Sequence, residues 1–263
     1  MTDKLNKTLN EIIEKGIQEC PKTMKFPSKQ DVSEFMKELR YCLYPNLYQR
    51  KSKTQIIPYL EKILEECSHS NKETLIESFI NYINILRETL LLDAKAIYEG
   101  DPAAKDLTEV RLCYPGFHAI LYYRTAHFFY KHNINYLPRI ITEISNSKTG
   151  IDIHPGAEIG ESFCIDHGNG IVIGETAKIG NSVKIYQGVT LGAFSVTKKT
   201  QGKRHPTLKN NVTVYARSTI LGGNTIIGEG TIIGGNAWII KSVPAYSTVY
   251  VSQPSNQKII KKK

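Results

Sequence analysis

From Ile153 onward the chain places an aliphatic residue at nearly every sixth position: Ile153, Ile159 and Ile165, then Ile173, Ile179, Ile185 and Leu191. After a polar interruption the rhythm resumes at Leu208, Val214 and Ile220, then Ile227, Ile233 and Ile239. Most of these residues are followed by a small residue and then by polar ones. A short fixed period of this kind predicts a parallel β-helix of hexapeptides, each supplying one short strand and one corner. The aliphatic side chain points into the prism, glycines permit the corners, and stacked coils make the core that no single coil could. The breaks are informative too. Ile165 to Ile173 is eight residues and Ile220 to Ile227 is seven, so each holds a small extra. The large break, residues 194–206, is polar and basic and ends in Arg204-His205. Such insertions leave a solenoid as loops, often on its binding face, and a substrate-covering loop is expected here.

The first half follows a helical period. Leu5, Leu9, Ile12, Ile13 and Ile17 share one face, as do Val32, Phe35, Met36 and Leu39 after the capping candidate Ser28. Ile56, Ile57, Leu60, Ile63 and Leu64 mark a third helix. A longer one runs from Leu75 to Tyr98, with Ile76, Phe79, Ile80, Ile83, Leu86 and Leu90 on its buried side and Gly100 and Pro102 at its end. Two more are expected over Pro115 to Lys131 and Tyr136 to Ser147. The predicted class is α+β: an all-α region over residues 1–147, a left-handed parallel β-helix over 148–245 with its excursion at 194–206, and a basic tail over 246–263.

Composition narrows the function only slightly. The chain has 263 residues, 41% of them hydrophobic, and a formal net charge of +9. Its charged, amphipathic start does not resemble a signal peptide, and no apolar run reaches membrane-span length. Cys20, Cys42, Cys67, Cys113 and Cys164 show no CxxC spacing, which argues against a disulfide framework or zinc cluster and for a reducing, cytoplasmic setting. The lysines are spread over both halves without an arginine-rich stripe, so the charge predicts a solvated surface rather than a nucleic-acid site. Lys198, Lys199 and Lys203 of the loop are candidates for attracting a phosphate-bearing cofactor.

Candidate chemistry lies in a few histidines and acids. His154 stands at the entry to the first coil, Asp166-His167 follows about one coil later, and Arg204-His205 closes the loop. Asp152 and His167 are fifteen residues apart, roughly one coil, so they can lie on one face. An imidazole oriented by a carboxylate is suited to deprotonating a hydroxyl, and the planar fork of Arg204 is suited to a carboxylate. Spacing alone leaves a structural role open for each histidine.

These residues, taken in order, resemble the serine O-acetyltransferases of cysteine biosynthesis, within the hexapeptide-repeat acyltransferases. The likeness runs from about Asp101 to Val249. It rests on Asp101-Pro102-Ala103, Gly116-Phe117-His118-Ala119 with Tyr123-Arg124 and His127, and Asp152-Ile153-His154-Pro155. It continues through Asp166-His167 with Gly170, Gly174-Glu175-Thr176-Ala177, Val189-Thr190-Leu191-Gly192 and Arg204-His205-Pro206. The resemblance implies direct attack of the L-serine hydroxyl on acetyl-CoA, giving O-acetyl-L-serine and CoA without an acyl-enzyme or metal. It implies His167 as general base with Asp152 as its dyad partner. Asp101 and Asp166 would hold the substrate ammonium and Arg204 and His205 its carboxylate, with His205 also near the developing oxyanion. Gly192, Ala216 and Gly235 would line the pantetheine arm. The family packs three β-helices side by side with each site between two subunits, so a homotrimer is expected, with a hexamer as a dimer of trimers open. Feedback inhibition by L-cysteine is expected as well.

The chain departs from the family pattern at Ala193, in its lysine-rich loop and after the last coil. It ends Ile259-Ile260-Lys261-Lys262-Lys263 rather than in the isoleucine that engages cysteine synthase, so that complex is not supported. Rival readings are a hexapeptide acetyltransferase for a sugar or xenobiotic, a metal enzyme on the same fold, and a non-catalytic trimeric scaffold. A polyol acceptor would not need Asp101, Asp166 and Arg204 together, a metal would be repelled by Arg204, and a vestigial site would not retain Asp152, His167 and Arg204.

Overall fold

A computed structural model describes residues 2–19, 26–49, 54–67, 70–194 and 202–251. Among them, seven helices precede fourteen short strands. The helices are α1 (Thr2–Glu19), α2 (Lys29–Leu43), α3 (Ile56–Glu66), α4 (Lys72–Gly100), α5 (Leu107–Cys113), α6 (Pro115–Lys131) and α7 (Leu137–Thr149). Ser28 caps α2 as expected, accepting from the Asp31 amide at 3.0 Å. Helix α5 was not foreseen. Its signal is the local pair Asp106 and Glu109: the first accepts from the Glu109 amide at 2.8 Å, and the second from the Lys105 amide at 2.7 Å. The stripe Leu5, Leu9, Ile12 and Ile13 of α1 is present but exposed. On α4, Ile80 is 37% exposed rather than buried, while Asp93, Ala94 and Ile97 extend the buried side toward the solenoid. No helix among the described residues is long and apolar enough to cross a membrane.

The strands wind into a prism with three faces. Face one stacks β1 (Asp152–Ile153), β4 (Val172–Ile173), β7 (Thr190–Gly192), β10 (Thr219–Leu221) and β13 (Trp238–Ile239). Face two stacks β2 (Glu158–Ile159), β5 (Lys178–Ile179), β8 (Thr207–Leu208) and β11 (Ile226–Ile227), continued by a bridge from Ile227 to Val243. Face three stacks β3 (Cys164–Asp166), β6 (Lys184–Tyr186), β9 (Thr213–Val214), β12 (Ile232–Ile233) and β14 (Thr248–Val249). All pairings are parallel. The register puts every aliphatic of the repeat on an interior ladder: Ile153, Ile173, Leu191, Ile220 and Ile239 on face one; Ile159, Ile179, Leu208 and Ile227 on face two; Ile165, Ile185, Val214, Ile233 and Val249 on face three. Strand β14 continues the winding into the stretch expected as tail; residues 252–263 lie outside the described residues, as do Cys20, Lys198 and Lys199.

Corners need not be glycine. Between faces two and three, the left-handed position is taken in successive coils by Ser162, Ser182, Asn211, Gly230 and Tyr246, with φ between 55° and 64°. From Ser182 upward, each donates its amide to a carbonyl of the coil before it, from 2.7 to 3.0 Å. Ala193, by contrast, has no positive φ and carries no strain there.

Helices and prism share one continuous core. A buried ion pair fastens them: Arg124 of α6 donates to Asp93 of α4 through Nε at 2.6 Å and Nη2 at 2.8 Å. The same guanidinium reaches the Gly160 carbonyl at 2.8 Å, and Asp93 accepts from the Phe163 amide at 2.9 Å, so both charges also satisfy the first coil. Burial works to raise the Asp93 pKa, opposed by Arg124. Breaking such a pair from one side leaves a bare interior charge, which costs about 3–5 kcal/mol. Asp93→Ala is therefore expected to lose about that much in urea denaturation; a loss under about 1 kcal/mol, the scale of a surface pair, would show that the pair does not hold the helices to the solenoid.

Candidate active site

The candidate residues fall into two clusters at opposite edges of face one. His167 lies at the corner that leads into β4, and Glu175 and Thr176 lie at the corner that follows it.

The first cluster forms where α4 meets face three. Asp101 caps the end of α4, its amide donating to Ile97 O at 3.0 Å. Its carboxylate accepts from the Tyr114 hydroxyl at 2.7 Å and the Ala103 amide at 2.9 Å. The tyrosine bond is the main cause of an Asp101 pKa below the usual carboxylate range, and it pushes the phenol up to about 12. Asp166 ends β3 and is paired with the Lys184 ammonium at 3.0 Å. Lys184 also donates to the Gly100 carbonyl at 2.5 Å and lies 4.5 Å over the Tyr186 ring. Burial works against its charge, but bonds to Tyr186 and Asp166 outweigh it and raise its pKa. Lys184 thus ties the end of α4 to the strand that carries Asp166.

His167 follows with its side chain 72% exposed and Nε2 3.7 Å from Asp166 Oδ1. Its backbone is left-handed, φ +58°, in the coil that carries two extra residues. A non-glycine held this way costs about 1–3 kcal/mol and persists where its surroundings enforce it, often at functional sites. Asp152, the expected dyad partner, lies on β1, in register with Val172 of β4. Its carboxylate is nevertheless turned to Arg139 of α7 at 3.4 Å. The structure therefore brings His167 together with Asp166, and leaves Asp152 paired elsewhere.

The second cluster locks the end of the excursion loop onto the second coil. A Cβ on Gly174 would fall 2.0 Å from the His205 ring, so only glycine leaves room for it. Thr176 Oγ1 accepts from the amides of Arg204 and His205 at 2.9 and 3.0 Å, and its own amide donates to His205 Nδ1 at 3.1 Å. The proton of the neutral ring consequently sits on Nε2. The Arg204 guanidinium is ion-paired with Glu175, which also accepts from the Tyr130 hydroxyl at 3.0 Å. His154 stands beside them, its Nδ1 accepting from the Gly156 amide at 3.0 Å. Burial, with Arg204 and Lys203 adding, lowers the His205 pKa to about 4. Lys203, a candidate for attracting a phosphate-bearing cofactor, is held within the chain. Its ammonium donates to the carbonyls of Thr176, His205 and Pro206 at 2.6, 2.5 and 3.1 Å, and burial lowers its pKa to about 8.

Of the three small residues expected along a cofactor arm, Ala216 and Gly235 adjoin. The Asn236 amide donates to Ala216 O at 2.9 Å, and a Cβ on Gly235 would meet that oxygen at 3.2 Å. Gly192 lies on face one instead, in register with Leu221.

Comparison with known proteins bears directly on these motifs. No protein-family model matches the chain. The serine acetyltransferase of Bacillus subtilis is 48% identical over 157 residues, 60% of this chain and 70% of the relative. The plasmid-borne serine acetyltransferase of Synechococcus elongatus is 47% identical over 185 residues, 68% of this chain and 58% of the relative. The chain belongs to the serine acetyltransferase family. It spans 58% and 65% of the length of the two Synechococcus relatives. Among solved structures, Entamoeba histolytica serine acetyltransferase 1 in complex with L-cysteine superposes with a TM-score of 0.73 at 37% identity, covering 82% of this chain and 86% of that one. A Neisseria gonorrhoeae serine acetyltransferase in complex with serine gives 0.62 at 27% identity, covering 84% and 97%. A serine acetyltransferase in complex with CoA gives 0.61 at 28%, covering 82% and 96%.

In this chain the stretches Gly174–Ala177 and Arg204–Pro206 are two halves of one lock. Sequence reasoning missed Lys184, Tyr114 and the roles of Glu175 and Thr176. Glu175 and Thr176 were signalled by the motif itself, whereas nothing local marks Lys184 or Tyr114. The lock has a pH signature. An unfolded histidine titrates near ~6.5 and folded His205 near about 4, so folding excludes its proton. Stability from this site is present above the unfolded value and falls as pH drops from ~6.5 toward ~4. Histidine NMR titration should find one ring titrating near ~4 that is absent in His205→Asn; a value near the unperturbed ~6.5 would show the ring is not sequestered.

Proposed function

We propose that the chain transfers the acetyl group of acetyl-CoA to the hydroxyl of L-serine. The observation that carries the reading is the division of chemistry between the clusters. One edge of the prism presents an exposed imidazole beside Asp101 and Asp166, suited to a hydroxyl and an ammonium. The other presents Arg204 beside a neutral His205, suited to a carboxylate. The likeness to relatives named serine acetyltransferase, and to structures holding serine, cysteine and CoA, supports it.

In this mechanism the substrate ammonium is held by Asp101, kept ionised by Tyr114, and by Asp166, which shares its charge with Lys184. His167 takes the hydroxyl proton as the serine oxygen attacks the thioester carbonyl. The tetrahedral intermediate collapses to the ester, and the proton passes to the departing CoA thiolate. Asp152 orients the imidazole if it exchanges Arg139 for His167; Asp166 is the carboxylate already within reach. His205 offers its Nε2–H as a neutral donor to the substrate carboxylate or developing oxyanion, rather than as a cation. Small residues at Ala216, Gly235 and Gly192 leave backbone accessible to the pantetheine arm. L-cysteine carries the same ammonium and carboxylate with a thiol in place of the hydroxyl, and is the expected competitive inhibitor.

Because the two clusters stand at opposite edges of face one, we read the site as completed by a neighbouring copy in a homotrimer. No partner enzyme is needed for the chemistry. The decisive assay is CoA release with L-serine, suppressed by L-cysteine and absent with glucosamine or galactose. His167→Ala should lower kcat by roughly 10²–10⁴-fold, the range for general-base loss, with acetyl-CoA binding retained. Arg204→Ala should raise KM for serine rather than for acetyl-CoA. Refolding equal amounts of the two variants together should restore about a quarter of full activity, because a cyclic trimer pairs intact halves at random. Unchanged turnover in His167→Ala, or no recovery on mixing, would reject the base or the shared site respectively.

A further inference from the structure

Away from both clusters, a cavity of about 190 Å³ opens among α2, α6 and α7. Arg40 lines it from α2, Pro115 and His118 from α6, and Ser145 and Lys148 from α7, with Cys113 of α5 at its edge. No carboxylate lines it, and among the described residues neither Arg40 nor Lys148 has a carboxylate partner. Three of the lining side chains carry a buried polar atom without a hydrogen-bond partner: Arg40 Nε, His118 Nδ1 and Ser145 Oγ. Ser145 is only 4% exposed. Buried polar groups are nearly always paired, so three bare ones around one void call for a missing partner. Helix α6 also begins here, with Pro115 in its first turn and no side-chain cap. The amides of Gly116 and Phe117 have no intrahelical acceptor, and the helix dipole favours a negative charge.

The ring of His118 narrows the ligand further. Its Nε2 lies 3.1 Å from Leu112 O, a carbonyl that can only accept, so Nε2 carries the proton and Nδ1 offers a lone pair. Burial holds its pKa below the usual value, and Arg40 and Lys148, the cations facing it from α2 and α7, act in the same direction. The occupant must therefore accept from a guanidinium, an ammonium and a hydroxyl while donating to one nitrogen. We propose that this cavity binds a small oxyanion bearing a hydroxyl, with hydrogenphosphate as the ligand. Sulfate has the same shape but no proton to donate at neutral pH. A phosphomonoester shares the charge, but with a second pKa of ~6 it is largely without a proton to donate at neutral pH.

Isothermal titration calorimetry on the full chain at constant ionic strength and pH 7 tests this with inorganic phosphate, sulfate and glycerol 3-phosphate. Saturable binding of one phosphate per chain is expected, with sulfate and the ester each weaker by about tenfold or more, the worth of one hydrogen bond to a charged group. Ser145→Ala and Arg40→Met should each weaken phosphate by a similar factor, whereas Arg204→Ala should leave it unchanged. Thermal unfolding without phosphate keeps the test independent of folding. Ser145→Ala removes a bare hydroxyl, so it should melt no lower than the parent yet lose most of the rise in Tm that phosphate gives. Phosphate affinity unaltered in both cavity variants, or lost in Arg204→Ala, would overturn the site. Sulfate binding as tightly as phosphate would overturn the ligand.

Discussion

The Asp93–Arg124 pair is the constraint on which the arrangement of this molecule depends. A buried ion pair adds little stability compared with an apolar contact of the same volume, but it is severe about geometry. Here each charge has a second obligation, Arg124 to the Gly160 carbonyl and Asp93 to the Phe163 amide. The pair is satisfied only when α4, α6 and the first coil are in one register. That register sets where α4 ends, and its end places Asp101. The position of Gly100 against Cys164 and Lys184, where a Cβ would lie 3.0 and 3.4 Å from side-chain atoms, is a consequence of the same docking.

The solenoid contributes the complementary constraint. Each coil repeats the backbone of the previous one, so a residue is placed by its position in the repeat and by how many residues the corners insert. The eight-residue step after Ile165 is the only place on the first coil where the corner gains length, and it turns His167 outward in a left-handed conformation. The loop before Arg204 is the larger departure, and three carbonyl contacts from Lys203 with two amide bonds to Thr176 return it to the repeat. Site residues therefore occur where the period fails, while the unbroken coils supply a rigid frame.

This explains what was legible in the sequence. The interior ladders were, because Ile153 through Ile239 announce themselves by spacing alone. The general location of His167 and Arg204 was legible for the same reason, as both flank breaks in the spacing. Helix α5 was not, because seven residues cannot display a helical period, although its Asp106 and Glu109 cap is readable afterwards. Nor were the partners of the site residues. Lys184 reaches Asp166 because β6 lies directly above β3, and Asp152 meets Arg139 because α7 turns back over β1; both pairings follow from stacking and docking, to which linear spacing is blind. Residues 252–263 and most of the loop carry no period at all.

Charge at the two clusters is balanced within one chain. Asp166 already holds an ammonium, that of Lys184, and Arg204 already holds a carboxylate, that of Glu175. On the proposed reading, these internal partners stand where the two ends of an amino acid would bind. A zwitterion then enters by exchange, an ammonium shared with or displacing Lys184 and a carboxylate displacing Glu175, so Asp166 and Arg204 are each paired both before and after binding. Such exchange lowers affinity relative to an uncompensated site, since only the difference between two ion pairs is gained. It also favours ligands carrying both charges at a fixed separation, because only such a ligand can exchange at both edges at once. Selectivity for an amino acid over a neutral acceptor is then a property of the pre-existing pairs as much as of the residues that touch the substrate.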